Sequence, residues 1–73
     1  MNNNFSKELG EWLTEKRKEA HLTQEQAGNL IGSGKQNICN WEKGIRNMSA
    51  KDLIEYCAAI HADLAEFVAM QKQ

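Results

Sequence analysis

No proline occurs anywhere in these 73 residues, and cysteine occurs only twice. With 41% hydrophobic and 26% charged residues, the composition excludes a collagen-like or membrane-embedded chain and suits an ordinary helical domain. Cys39 and Cys57 share no Cys-x-x-Cys spacing, and His21 and His61 lie far apart, so no zinc set forms and two reduced, unpaired thiols are expected. No apolar run approaches the ~18 residues of a membrane span, and the start, MNNNFSK, lacks the charged and apolar regions of a signal peptide. A cytoplasmic protein is expected. There is also no catalytic constellation, so neither an enzyme nor a cofactor is expected. At this length a second domain is excluded, and a single-layer core leaves only a few kcal/mol of net stability.

A formal net charge of -1 argues against a protein that coats nucleic acid indiscriminately, but the charge is sorted along the chain. Ser33 to Lys51 carries +3 and the remainder -4.

What is present is helical periodicity. Phe5, Leu9, Leu13 and Ala20, with Trp12 on the flank, recur at helical spacing and predict a first helix over Ser6–Ala20. Thr23 followed by Gln24-Glu25-Gln26 is a capping box, which opens a second, two-turn helix with Ala27, Leu30 and Ile31 inward, ending at Gly32. From Gly34 or Lys35 a third helix turns Ile38 and Trp41 inward and Lys35, Gln36, Asn37 and Asn40 outward, and Gly44 closes it. Ser49 opens a fourth helix with Leu53, Tyr56, Cys57 and Ile60 inward, ended at His61-Ala62, where His61 replaces a C-terminal glycine. Asp63 caps a fifth, apolar on more than one side. The fold class is all-α, a compact five-helix domain.

Gly32-Ser33-Gly34-Lys35 invites a phosphate-loop reading. That motif needs a glycine where Asn29 stands, a hydroxyl where Gln36 stands, and a preceding strand. None is supplied. A helix-turn-helix instead needs a small residue where two short helices cross, a tight turn, and apolar anchors behind the second helix. Gly28, Gly32, Ile38 and Trp41 fill those places. Glycine within a helix costs about 1 kcal/mol relative to alanine, so Gly28 is expected to admit close approach by the third helix.

The segments "TQEQAGNLIG" (23–32), Ile38 with "WEKG" (41–44), and "MSAKDLIEYCAAIHADLAEF" (48–67) together resemble the phage-repressor and Cro-like helix-turn-helix family, often called Xre-type. The resemblance runs from Leu9 to Phe67. It implies one DNA-binding domain over residues 6–70, with residues 1–5 a frayed N-terminus, and a helix-turn-helix formed by the second and third helices. It also implies a structural ion pair between Arg17, six residues before Thr23, and Glu42. Ala27, Gly28, Ser33 and Gly34 depart from the family's usual leucine, alanine, apolar turn residue and serine-type cap. These departures loosen the motif and favour a dimer as a source of further burial.

In such proteins the second helix of the motif enters the major groove. Asparagine and glutamine pair with adenine's N6 and N7, and lysine donates to guanine's N7 and O6. Gln36, Asn37 and Asn40 are therefore the base-reading candidates, with Lys35 at the border between base and phosphate. Gln24 and Ser33 are expected at the DNA surface, Gln24 at a helix N-terminus beside phosphate, and Lys43 and Arg46 as phosphate contacts that position without specifying. Trp41 reads as a core anchor rather than a base-stacking platform. Cys39, near that face, lacks a basic activating cluster and reads as inert. On the fifth helix Phe67, Val68 and Met70 are the candidate dimer interface, although Phe67 and Leu64 can also face the domain. The function implied is a sequence-specific transcriptional regulator, a repressor or Cro-like controller, that binds a palindromic operator as a homodimer and associates with the nucleoid when bound. The alternative is a protein-interaction module, an antitoxin or adaptor, that uses the fifth helix as its partner surface.

Overall fold

Local backbone chemistry sets where each helix starts and stops. The computed structural model describes residues 4–45 and 47–71. Among them it places five helices: α1 (Asn4–Glu19), α2 (Gln24–Leu30), α3 (Lys35–Glu42), α4 (Ala50–Ala59) and α5 (Leu64–Gln71). The capping box is formed in full. Thr23 Oγ1 accepts from the Gln26 backbone N–H at 3.0 Å, and Gln26 Oε1 accepts from the Thr23 N–H at 2.9 Å. Ser49 and Asp63 cap α4 and α5 in the same way, each accepting a backbone N–H at 3.0 Å. Gly34, before α3, offers no side-chain cap.

The first four helices share one ending. The residue after the cap has a positive φ, +61° at His21, +68° at Gly32, +75° at Gly44 and +59° at His61. The next backbone N–H reaches back five residues: Leu22 to Arg17, Ser33 to Gly28, Ile45 to Asn40 and Ala62 to Cys57, at 2.8–3.2 Å. Histidine carries a Cβ into this left-handed region at a cost of about 1–2 kcal/mol. Part of that is recovered in the unfolded state, which glycine makes more flexible. His61→Gly is therefore expected to raise stability by about 0.5–1 kcal/mol, and urea denaturation at neutral pH measures it. A loss of stability would mean that the imidazole makes a contact worth more than the strain.

α1 starts earlier than its periodicity predicts. Asn4 and Phe5 belong to the helix instead of to a frayed end, because the Phe5 ring rests edge-on against Phe67, with centroids 5.8 Å apart. The core that the helices enclose is built from Leu9, Trp12 and Leu13 of α1, Ala27, Ile38 and Trp41 of the motif, Tyr56, Cys57 and Ile60 at α4, and Phe67 of α5. Leu30, expected inward, is exposed, since the buried side of α2 runs through Ala27 and Gly28 and leaves Leu30 on the flank.

Two glycines permit approaches that a side chain would block. A Cβ on Gly10 would stand 2.7 Å from the Trp41 carbonyl oxygen and closer still to that of Glu42, so the last turn of α3 lies directly on α1. A Cβ on Gly28 would meet the Ser33 carbonyl oxygen at 2.7 Å. The close approach expected at Gly28 is thus made by the turn folding back over α2, where Ser33 N–H bonds the Gly28 carbonyl, and not by α3 itself.

Candidate functional site

α3 is held from behind. Ile38 is completely buried and Trp41 nearly so, with the indole 5.7 Å from the Tyr56 ring in an edge-on contact. Both therefore serve as core anchors, and Trp41 is not a stacking surface.

The end of α3 is fixed by a buried polar cluster. Arg17 Nε donates to Glu42 Oε2 at 2.6 Å and its Nη2 to Oε1 at 3.2 Å, a two-pronged pair with both side chains below a tenth exposed. Arg17 Nη1 donates to the Leu22 carbonyl at 2.7 Å, and Gln24 Nε2 and Tyr56 Oη donate to the same carboxylate at 2.9 and 3.4 Å. Burial by itself would raise the Glu42 pKa, but the Arg17 guanidinium and the Gln24 amide outweigh it and hold the carboxyl below its ordinary value. Hydrogen bonding to Glu42 raises Arg17. Burial, and next the Glu42 charge, pushes the Tyr56 phenol far up. One carboxylate thus ties α1, α2, α3 and α4 together at the base of the outward-facing helix.

Gln24 stands at the first position of α2, as expected, but its side chain is half-buried and turned toward Glu42. The acceptor lone pairs of the buried Glu42 carboxylate draw its amide donor inward.

On the outer face Lys35 and Gln36 are exposed and Asn37 and Asn40 half-buried. Two side-chain bonds organise them. Asn37 Nδ2 donates to Ser33 Oγ at 2.9 Å, and Gln36 Nε2 donates to Asn40 Oδ1 at 3.2 Å. The spacing of four residues in both pairs is a signal that the sequence carried, since residues four apart share a helix face. Lys43 is exposed just beyond α3, and Arg46 lies outside the described residues. Cys39 is a half-buried free thiol, whereas burial pushes the Cys57 thiol up.

α5 divides its apolar residues. Phe67 is 3% exposed, with its ring 5.3 Å from Trp12, and so belongs to the domain's own core and not to a partner-facing strip. Trp12, itself buried, is the surface that Phe67 covers. Val68 and Met70 remain about half exposed. Lys16 bridges α1 to α5 through Glu66 at 2.8 Å, a pair exposed on the glutamate side and worth little by itself. No described helix is long and apolar enough to cross a membrane.

A family model described as helix-turn-helix matches residues 13–67, from the second half of α1 to the middle of α5. No curated protein matches the chain.

Proposed function

From the premise that this chain belongs to the Xre/Cro-like helix-turn-helix family of DNA-binding regulators, we propose that it is a cytoplasmic, sequence-specific repressor that docks α3 in the major groove of an operator. The observation that carries this reading is the division of α3 itself. Ile38, Trp41 and Glu42 are buried and fixed from behind, while Lys35 and the Gln36–Asn40 pair stand on the opposite face in the positively charged part of the chain. A rigidly held helix with amides and a lysine outward suits base edges, because each such group both donates and accepts or donates strongly. Ser33 and Asn37 border that face, and Lys43 and Arg46 neutralise phosphate. Two copies related by a two-fold axis and joined through the exposed Val68 and Met70 would read a palindromic site, which requires the two α3 helices to stand about 34 Å apart.

Gln36→Ala is expected to weaken binding to the preferred duplex by roughly 1–3 kcal/mol while leaving random duplex almost unaffected. Lys43→Ala is expected to weaken both alike and to lower the slope of log affinity against log salt by about 1. Fluorescence anisotropy with a selected and a random duplex across a salt series measures all four quantities. Equal losses on both duplexes for Gln36→Ala would remove its reading role. Tight capture of a protein together with feeble DNA binding at low salt would favour an adaptor.

A further inference from the structure

The two amides on the outer face of α3 are not independent. Gln36 Nε2 donates to Asn40 Oδ1 across one turn, at 3.2 Å. A glutamine amide has two N–H donors and one carbonyl acceptor, and an asparagine amide has the same. The bond uses one Gln36 hydrogen and one of the two lone pairs of the Asn40 carbonyl. What Gln36 then offers is one donor and one acceptor side by side, the complement of adenine's N7 and N6 amino group. What Asn40 offers in full is its two amide hydrogens, which match an acceptor, thymine O4 or guanine O6, while its carbonyl oxygen is already shared with Gln36.

We infer that Gln36 and Asn40 read DNA as one coupled unit, in which Asn40 is the positioning residue that fixes the Gln36 amide on adenine and itself selects guanine or thymine at a second position. The inference rests on the base-reading role proposed for α3. It adds which bases are chosen and why Gln36 does not choose alone. Lys35 and Lys43, on the same surface, are single-sign donors and contribute affinity without this pairing of donor with acceptor.

The test is selection of duplexes from a randomised pool by the full chain and by Gln36→Ala, Asn40→Ala and Asn40→Asp, with thermal unfolding of each variant alongside. The wild type is expected to enrich adenine at one position by roughly tenfold or more, a preference that Gln36→Ala abolishes. Asn40→Ala is expected to weaken that same adenine preference several-fold, although Gln36 is intact, and to erase the guanine or thymine preference at the second position. Asn40→Asp keeps an oxygen for Gln36 to donate to but has no hydrogens to give. Adenine should therefore persist, while the second position turns to cytosine, whose amino group a carboxylate accepts. An adenine preference untouched by Asn40→Ala would overturn the coupling, as would a base other than adenine at the position Gln36 controls. A wild-type chain that enriches no sequence would overturn base reading by α3 as a whole, an outcome distinct from the other two.

Discussion

Glu42→Ala is expected to lower the stability of the domain by about 3–5 kcal/mol, because it strands the buried Arg17 guanidinium without its counter-charge. Domains of this length hold roughly 4–11 kcal/mol in all, so the variant should be largely unfolded or melt at least ~12 °C lower. The loss reflects the charge left behind more than the worth of the pair. Removing both charges, as Arg17→Met with Glu42→Leu, should therefore recover at least half of it. Full recovery is not expected, since Gln24 and Tyr56 lose their acceptor and the Leu22 carbonyl loses its donor. Urea denaturation of Arg17→Met, Glu42→Leu and the double variant gives the coupling directly. A Glu42→Ala loss below about 1 kcal/mol would mean that water reaches Arg17 when the carboxylate goes. The pH dependence has a fixed sign. The folded Glu42 pKa lies below the ordinary carboxylate value, so the stabilisation is complete above about pH 4.3 and drains away as pH falls through the lower, folded value. Acid should unfold the wild type, and Glu42→Gln should flatten that part of the profile.

Phe67→Ala should be comparably harmful, about 3–5 kcal/mol, since it empties the space between Phe5 and Trp12 and with it the anchor of α5 on α1. Lys16–Glu66 is exposed on the glutamate side and cannot hold α5 in its place. Val68→Ser and Met70→Ser, on the half-exposed side of the same helix, should each leave unfolding of the isolated domain within about 0.5 kcal/mol. If that strip joins two copies, the two serine variants should instead weaken self-association in sedimentation equilibrium. Three variants on one helix thus separate burial within the chain from burial between chains. Equal destabilisation by Val68→Ser and Phe67→Ala would mean that the exposed strip is already covered in the folded unit.

The helix ends were the most legible part of this protein. Thr23 with Gln26, Ser49, Asp63, Gly32 and Gly44 act on backbone groups within six residues of themselves, and His61 takes a glycine's place by the same local rule. The amphipathic spacing of Ile38 and Trp41 likewise placed the outer face of α3, because a helix has one period whatever surrounds it. The resemblance to the family rested on the segments 23–32, 41–44 and 48–67, and the helix-turn-helix match over residues 13–67 agrees with it.

Only the assembled helices decided where side chains with two possible destinations went. Phe67 is buried, although Val68 beside it is as apolar, because Trp12 lies opposite one and solvent lies opposite the other. Gln24 turns to Glu42 across 18 residues of chain, and Gly10 and Gly28 are needed because carbonyls from α3 and from the turn press on them. Periodicity names the face of a helix but not its neighbour. Burial, charge pairing and close backbone approach depend on that neighbour, so they are settled by packing between segments distant in sequence.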